Sequence, residues 1–348
     1  MPAADPAGKP GSRRVPPLRY GRPMLLPLLL LACTAEPSPA PSDSGASPGT
    51  TPTGTIKERC FPDIGDESLG FPAYDELGAV VPDHCSGTDH QDITDIERLV
   101  FLGDSVTAGT PPTDEDRYYR VELTEDLQER WPGLEVSDCS QWGDRTDDLL
   151  AHKDRGLNLC FPEGGDDRRT LIVMTVGGND MLEAAETVAA KGEEAAKAEI
   201  DQAIAYLDEA FAWVKEGADL DGASPERSDR FPGGVFVVFG NVYEFTDATG
   251  DLDSCPMASY LGFSGTIPQL RDGYIYVNEA FMALAVKYDL DAVLMLENFC
   301  GHGFHAGDPE NECYRGDDAE VWFDNTCIHP NETGHAEMQR MFRETIEQ

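Results

Sequence analysis

The sequence predicts an α/β fold, a mostly parallel five-stranded sheet with helices on both faces, and three observations carry that reading. Four short runs, Leu99–Leu102, Thr170–Val176, Gly234–Phe239 and Ala292–Leu296, are apolar and rich in β-favouring residues without polar alternation. Parallel strands covered on both faces lose that alternation. Helical stretches separate these runs, which makes βαβ units their natural connection. No repeat and no second compositional regime follows residue 56, so one sheet accounts for the folded chain.

Taken in order, the chain opens on Arg13, Arg14, Arg19 and Arg22, followed by an apolar stretch from Met24 to Leu31 broken only by Pro27. This reads as an export leader and is too short to span a membrane as a mature helix. Leu30-Leu31-Ala32-Cys33 resembles a bacterial lipobox, which makes Cys33 the expected lipidation site; a plain secretory signal is the alternative. Residues 34–56 are rich in Pro, Ser, Thr and Gly and cannot bury a core, so they form a tether. Residues 57–96 carry turn signals and read as an irregular lead-in to the domain, which spans 57–348. After the Leu99–Leu102 strand a helix is expected over Tyr118 to Trp131, ended by Pro132-Gly133. A short second strand, Leu134–Cys139, and a helical turn or two from Thr146 to His152 precede the strand at Thr170. An alanine- and glutamate-rich helix then runs from Met181 to Gly217, interrupted near Lys191-Gly192. Helices over Gln269–Tyr288 and Glu332–Glu347 flank the last strand.

Charge excludes some partners. Acidic residues number 65 against 26 basic ones, a net charge of -39, and such a field repels nucleic acid and anionic lipid headgroups. Membrane contact is therefore expected only through the Cys33 anchor. Beyond Cys33 the cysteines form an even set of eight, which in an exported chain reads as disulfides. No Cys-x-x-Cys pair argues for zinc. Neighbour pairing is the simplest expectation: Cys60–Cys85, Cys139–Cys160, Cys255–Cys300 and Cys313–Cys327.

Four segments at or after strand ends carry chemistry. Gly103-Asp104-Ser105 puts a hydroxyl at the carboxyl edge of the sheet, where open α/β folds place ligands. A serine attacks only when a base accepts its proton. Gly143, after the second strand, lets a backbone N–H approach a ligand. Gly177-Gly178-Asn179-Asp180 follows the strongest strand, and the Asn179 amide can donate to an oxyanion. Ile328-His329-Pro330-Asn331 supplies an imidazole suited to general-base work. Each alone has a plainer role as a turn, a helix cap or a loop histidine.

Together, in this order, the four segments resemble the four blocks of the SGNH hydrolase (GDSL-type esterase/lipase) superfamily, over residues 97–348. The resemblance implies a three-layer α/β/α sandwich with a flavodoxin-like sheet. It implies Ser105 as nucleophile and His329 as base. The Ser105 N–H, the Gly143 N–H and the Asn179 side chain would form the oxyanion hole. One position departs from the family pattern: the Asp expected three residues before the histidine is Thr326. Either Asp324 orients the imidazole, or a backbone carbonyl such as that of Thr326 does so, in a loop fixed by Cys313–Cys327. The carbonyl is the favoured expectation.

Other candidates are weaker. The Gly-x-Ser-x-Gly elbow is absent, since Thr107 takes the last glycine's place. His302-Gly303-Phe304-His305 has a spacing some metal sites use, but a glycine-rich loop explains it. His335 is expected to face solvent or pack on the last helix. The expected function is an exported, monomeric, cofactor-free serine esterase or lipase acting on carboxylic esters. An acetyl-polysaccharide deacetylase of the same superfamily and a catalytically idle glycan- or partner-binding lipoprotein are the alternatives.

Overall fold

The computed structural model describes residues 54–64, 71–151, 155–218 and 229–348. The leader with Cys33 and most of the tether lie outside them. The tether's last residues do not: Thr55 caps a short helix, Ile56–Cys60, in a reciprocal pair with Glu58.

The strands are β1 (Arg98–Gly103), β2 (Glu135–Asp138), β3 (Thr170–Thr175), β4 (Val235–Gly240) and β5 (Asp291–Val293). All pair in parallel, in the order β2-β1-β3-β4-β5. The register aligns Gly103 with Thr175, Thr175 with Gly240, and Gly240 with Val293. Four strand ends therefore form one row. The chain leaves β1 in one direction and returns to its other side as β3, and that reversal opens a crevice beyond the carboxyl ends.

Both faces are covered, which is why β1 and β3 are buried along their whole length. Phe101 meets Tyr119 edge-on at 6.5 Å, and Tyr119 stacks on Phe342 at 5.0 Å. Helix Tyr119–Arg130 presents Tyr119, Leu123 and Leu127, spaced four apart, and packs with the C-terminal helix Glu332–Glu347. On the other face, helix Glu193–Glu216 buries Ile200, Ala203, Leu207, Phe211 and Val214, and Phe211 meets Phe239 at 5.0 Å. Each buried Phe or Leu stabilises the fold by about 1.5–3 kcal/mol. The long helix is indeed interrupted: Gly178–Lys191 and Glu193–Glu216 meet at Gly192, whose φ of 90° is a left-handed conformation suited to glycine.

Three expectations are corrected. The run Ala292–Leu296 is not one strand, because β5 ends at Val293 and Met295–Phe299 is helical. The Asn241 Oδ1 accepts the Leu296 N–H at 2.8 Å and holds that helix start; a short buried helix and a buried strand look alike in an apolar run. Two of the four disulfides are also exchanged. Cys60–Cys85 and Cys139–Cys160 form as expected, but Cys255 pairs with Cys327 and Cys300 with Cys313. The Asp247 carboxylate accepts the backbone N–H groups of Gly301, Gly303 and His305, each at 2.9 Å. That folds the segment after Cys300 back on itself and returns Cys313 to it. Finally, His335 is fully buried, its ring 5.3 Å from that of Tyr118 and stacked at 6.3 Å on Tyr119. Burial pushes it down to about 3.

Candidate active site

Ser105 opens a one-turn helix, Ser105–Ala108, directly beyond β1. Asp104 caps that turn, accepting the Val106 N–H and the Thr175 hydroxyl, each at 2.9 Å. Thr107 Oγ1 lies 2.8 Å from both Thr175 Oγ1 and the Tyr119 hydroxyl. These side chains lock the turn to β3 and to the helix behind it. Gly103 is required by space: with φ at 107°, a Cβ there would sit 1.8 Å from the Thr175 carbonyl oxygen. Burial is the main reason the Asp104 carboxyl is raised to about 7; its bonds to Val106 and Thr175 act in the opposite direction.

His329 sits on a tight loop closed by a bridge between Phe323 and Pro330 and by the Asp324 N–H donating to the His329 carbonyl at 2.9 Å. The Tyr243 hydroxyl donates to the Ile328 carbonyl at 3.0 Å, and Cys327, at φ 68°, ties the loop to Cys255. Thus the Cys255 bridge, not one from Cys313, fixes this loop. The outcome is a His329 Nε2 only 2.9 Å from Ser105 Oγ, across 224 residues of chain. Burial holds the His329 imidazolium below its ordinary range, with the nearby Asp324 charge opposing.

Asn179 lies in the first turn of helix Gly178–Lys191 and lines the same cleft as Ser105 and His329. Its Nδ2 donates to the Asp144 carbonyl at 2.9 Å. A side-chain amide has two N–H groups, so the second remains for a ligand. Gly143 precedes Asp144 in a turn at φ 80°, with open space where a Cβ would be, so its conformation and not crowding favours glycine. Gly143 is outside the set of cleft-lining residues. The loop it belongs to is nonetheless held beside the site, with the Gln141 N–H on the Gly103 carbonyl at 2.8 Å and Trp142 Nε1 on the Gly109 carbonyl at 3.0 Å.

Neither expected partner of His329 Nδ1 is the one found. The Thr326 hydroxyl occupies that place at 3.0 Å, and Asp324 stands behind it, with Oδ1 2.5 Å from the same hydroxyl. The spacing Asp-x-Thr-x-x-His could have pointed there, since Asp readily binds the backbone N–H two residues on. Here Thr326 N–H donates to Asp324 Oδ1 at 2.7 Å. The cleft is lined further by the apolar Val176, Leu182, Val242, Phe245, Met295 and Ile328, together with the polar Asn241, Tyr243, Glu244 and Tyr274. Among the described residues no group of three or more His, Cys, Asp or Glu could hold a metal ion. His302 stacks on Trp322 at 3.6 Å, while His305 Nε2 lies 3.2 Å from Asp251. Asn331 is spent on the last helix, accepting the Gly334 N–H at 2.9 Å and donating to the Val321 carbonyl at 2.7 Å.

The model of the GDSL-like lipase/acylhydrolase family matches residues 101–337, more than half of the chain. No curated protein gives a match. Similar solved structures include an acetyl xylan esterase variant from Geobacillus stearothermophilus, with 15% identity and a TM-score of 0.47, covering 74% of this chain and 97% of its own. A lipase from a goat rumen metagenome gives 16% identity, a TM-score of 0.44 and coverage of 71% and 96%. A psychrotrophic esterase from Pseudoalteromonas sp. gives 11%, 0.42, and 72% and 97%.

Proposed function

Because the chain belongs to the GDSL-like lipase/acylhydrolase family, we propose that it is an exported serine esterase that cleaves carboxylic esters through an acyl-enzyme. Ser105 Oγ attacks the ester carbonyl carbon while His329 Nε2 takes its proton. The tetrahedral oxyanion accepts hydrogen bonds from the Asn179 amide and from the backbone N–H groups of Ser105 and Gly143. Collapse breaks the bond to the alkoxide, which leaves with the proton from His329. Water then repeats the sequence and frees the carboxylate and Ser105.

The observation that carries this reading is the 2.9 Å contact between Ser105 and His329 inside a cleft that Asn179 also lines. The apolar walls suit an apolar acyl chain. Four disulfides support an oxidising compartment, reached through the leader and held there by Cys33. No helix among the described residues is long and apolar enough to cross a membrane. Hydrolysis of p-nitrophenyl butyrate tests the assignment. Ser105→Ala is expected to lose at least a thousandfold in kcat with its fold intact; a Ser105→Ala protein turning over at the parent rate ends the proposal.

A further inference from the structure

We propose that Thr326, through its side-chain hydroxyl, is the positioning residue that selects the working tautomer of His329 and transmits the Asp324 charge to it. The inference rests on the esterase reading above and adds a member to its machinery. An ionised carboxylate only accepts hydrogen bonds, whereas a threonine hydroxyl has one hydrogen to give and lone pairs to accept with. At 2.5 Å from Asp324 Oδ1, the hydroxyl gives that hydrogen to the carboxylate. Its oxygen is then left to accept from His329 Nδ1 at 3.0 Å. The ring hydrogen is thereby placed on Nδ1, and Nε2 is bare toward the Ser105 hydroxyl 2.9 Å away. The chain of bonds has one direction only.

The surroundings leave Asp324 little else to do. The residue is 5% exposed, and its Oδ2 is buried without a protein hydrogen-bond partner among the described residues. Oδ1 takes both the N–H and the hydroxyl of Thr326, so the carboxylate grips that one residue twice. Buried charge held this way is costly unless its bonds are kept. When His329 gains a proton from Ser105, the imidazolium points its Nδ1–H at an oxygen polarised by a carboxylate one bond further on. No new bond has to form at that moment. Other titratable groups share this cleft: Asp104, raised by burial to about 7, Glu244, likewise raised, and the hydroxyls of Tyr243 and Tyr274, raised by burial as well. His335 on the C-terminal helix is held down at about 3 and stays neutral in the working range.

The reverse case shows why the acid matters although it never touches the ring. Without Asp324 the Thr326 hydroxyl is free to turn its hydrogen toward Nδ1. That favours the tautomer with hydrogen on Nε2, which cannot accept from Ser105.

The test compares Thr326→Val, Thr326→Ser and Asp324→Ala, alone and combined, on p-nitrophenyl butyrate, with Ser105→Ala alongside. Thr326→Val keeps the shape and loses the hydroxyl; its kcat is expected to fall about ten- to a hundredfold, with KM within about twofold. The acid limb of kcat/KM should move to lower pH, because the imidazolium has lost its acceptor. Thr326→Ser should restore kcat to within about threefold of the parent. Adding Asp324→Ala to Thr326→Val should cost clearly less than Asp324→Ala costs in the parent, since part of the Asp324 effect runs through the Thr326 hydroxyl. If Thr326→Val does not fold, Thr326→Ala carries the same expectations. Parental kcat and an unmoved acid limb in the hydroxyl-free variant, or full additivity with Asp324→Ala, overturn the relay. Those results beside an inactive Ser105→Ala remove the relay alone; an active Ser105→Ala removes the esterase reading itself.

Discussion

At the scale of single residues, the site depends on how burial sets protonation. In the proposed mechanism His329 must be neutral to take a proton from Ser105, and burial already disfavours its cation. The sign follows directly: protonation is delayed to lower pH than for a free imidazole, at about 6.5. The acid limb of kcat/KM is therefore expected below pH 6.5. Replacing Asp324 by Asn should lower it further, because the Asp324 charge is what opposes the shift. A rate profile on a soluble ester between pH 4 and 8 measures this, and a limb above 6.5 contradicts it. The residues Ser105, Asn179 and His329 were legible as isolated signals, each next to a strand end or a turn. The Thr326 hydroxyl was not, because a family pattern with Asp at that position directs attention to carboxylates and carbonyls. Only the fold brings that oxygen within 3.0 Å of the ring.

At the scale of elements, the strand ends Gly103 and Thr175 sit side by side in the sheet, so the segments after β1 and β3 meet with no help from the loops. The loop bearing His329 has no such support from the sheet. It is held by the Phe323–Pro330 bridge and by the disulfide from Cys327 to Cys255, which closes a separation of 72 residues. In the chain-entropy description such a crosslink stabilises by about 4 kcal/mol. The paired variant Cys255→Ser/Cys327→Ser should accordingly lose up to about that much in denaturant unfolding. Its kcat should fall more than its KM rises, because the imidazole loses its fixed approach to Ser105. Unchanged stability and turnover in this variant contradict the role given to the bridge. Strand and helix periodicity revealed most of the elements, including the break at Gly192. The pairing of Cys255, Cys300, Cys313 and Cys327 was hidden because it depends on where Asp247 gathers the 301–305 backbone, and nothing in the cysteine spacing reports that. The short helix Met295–Phe299 was hidden for a different reason, its residues being as apolar as those of β5.

At the scale of the whole molecule, the parallel order places one row of strand ends, Gly103, Thr175, Gly240 and Val293, beneath one cleft. A net charge of -39 spread over the chain favours solubility, and it also repels anionic surfaces. The cleft is walled mainly by apolar groups, with the carboxyl groups of Asp104 and Glu244 also in its lining, and under the proposed function a neutral ester is the substrate least opposed by that field. The proposed chemistry depends on a serine made nucleophilic by a distant histidine, and covalent capture reports on that most directly. Treating the folded protein with a fluorophosphonate and mapping the adduct by mass spectrometry should give one label, on Ser105, formed in step with the loss of esterase activity. Label on another residue, or full hydrolysis by a protein whose Ser105 stays unmodified, would contradict it.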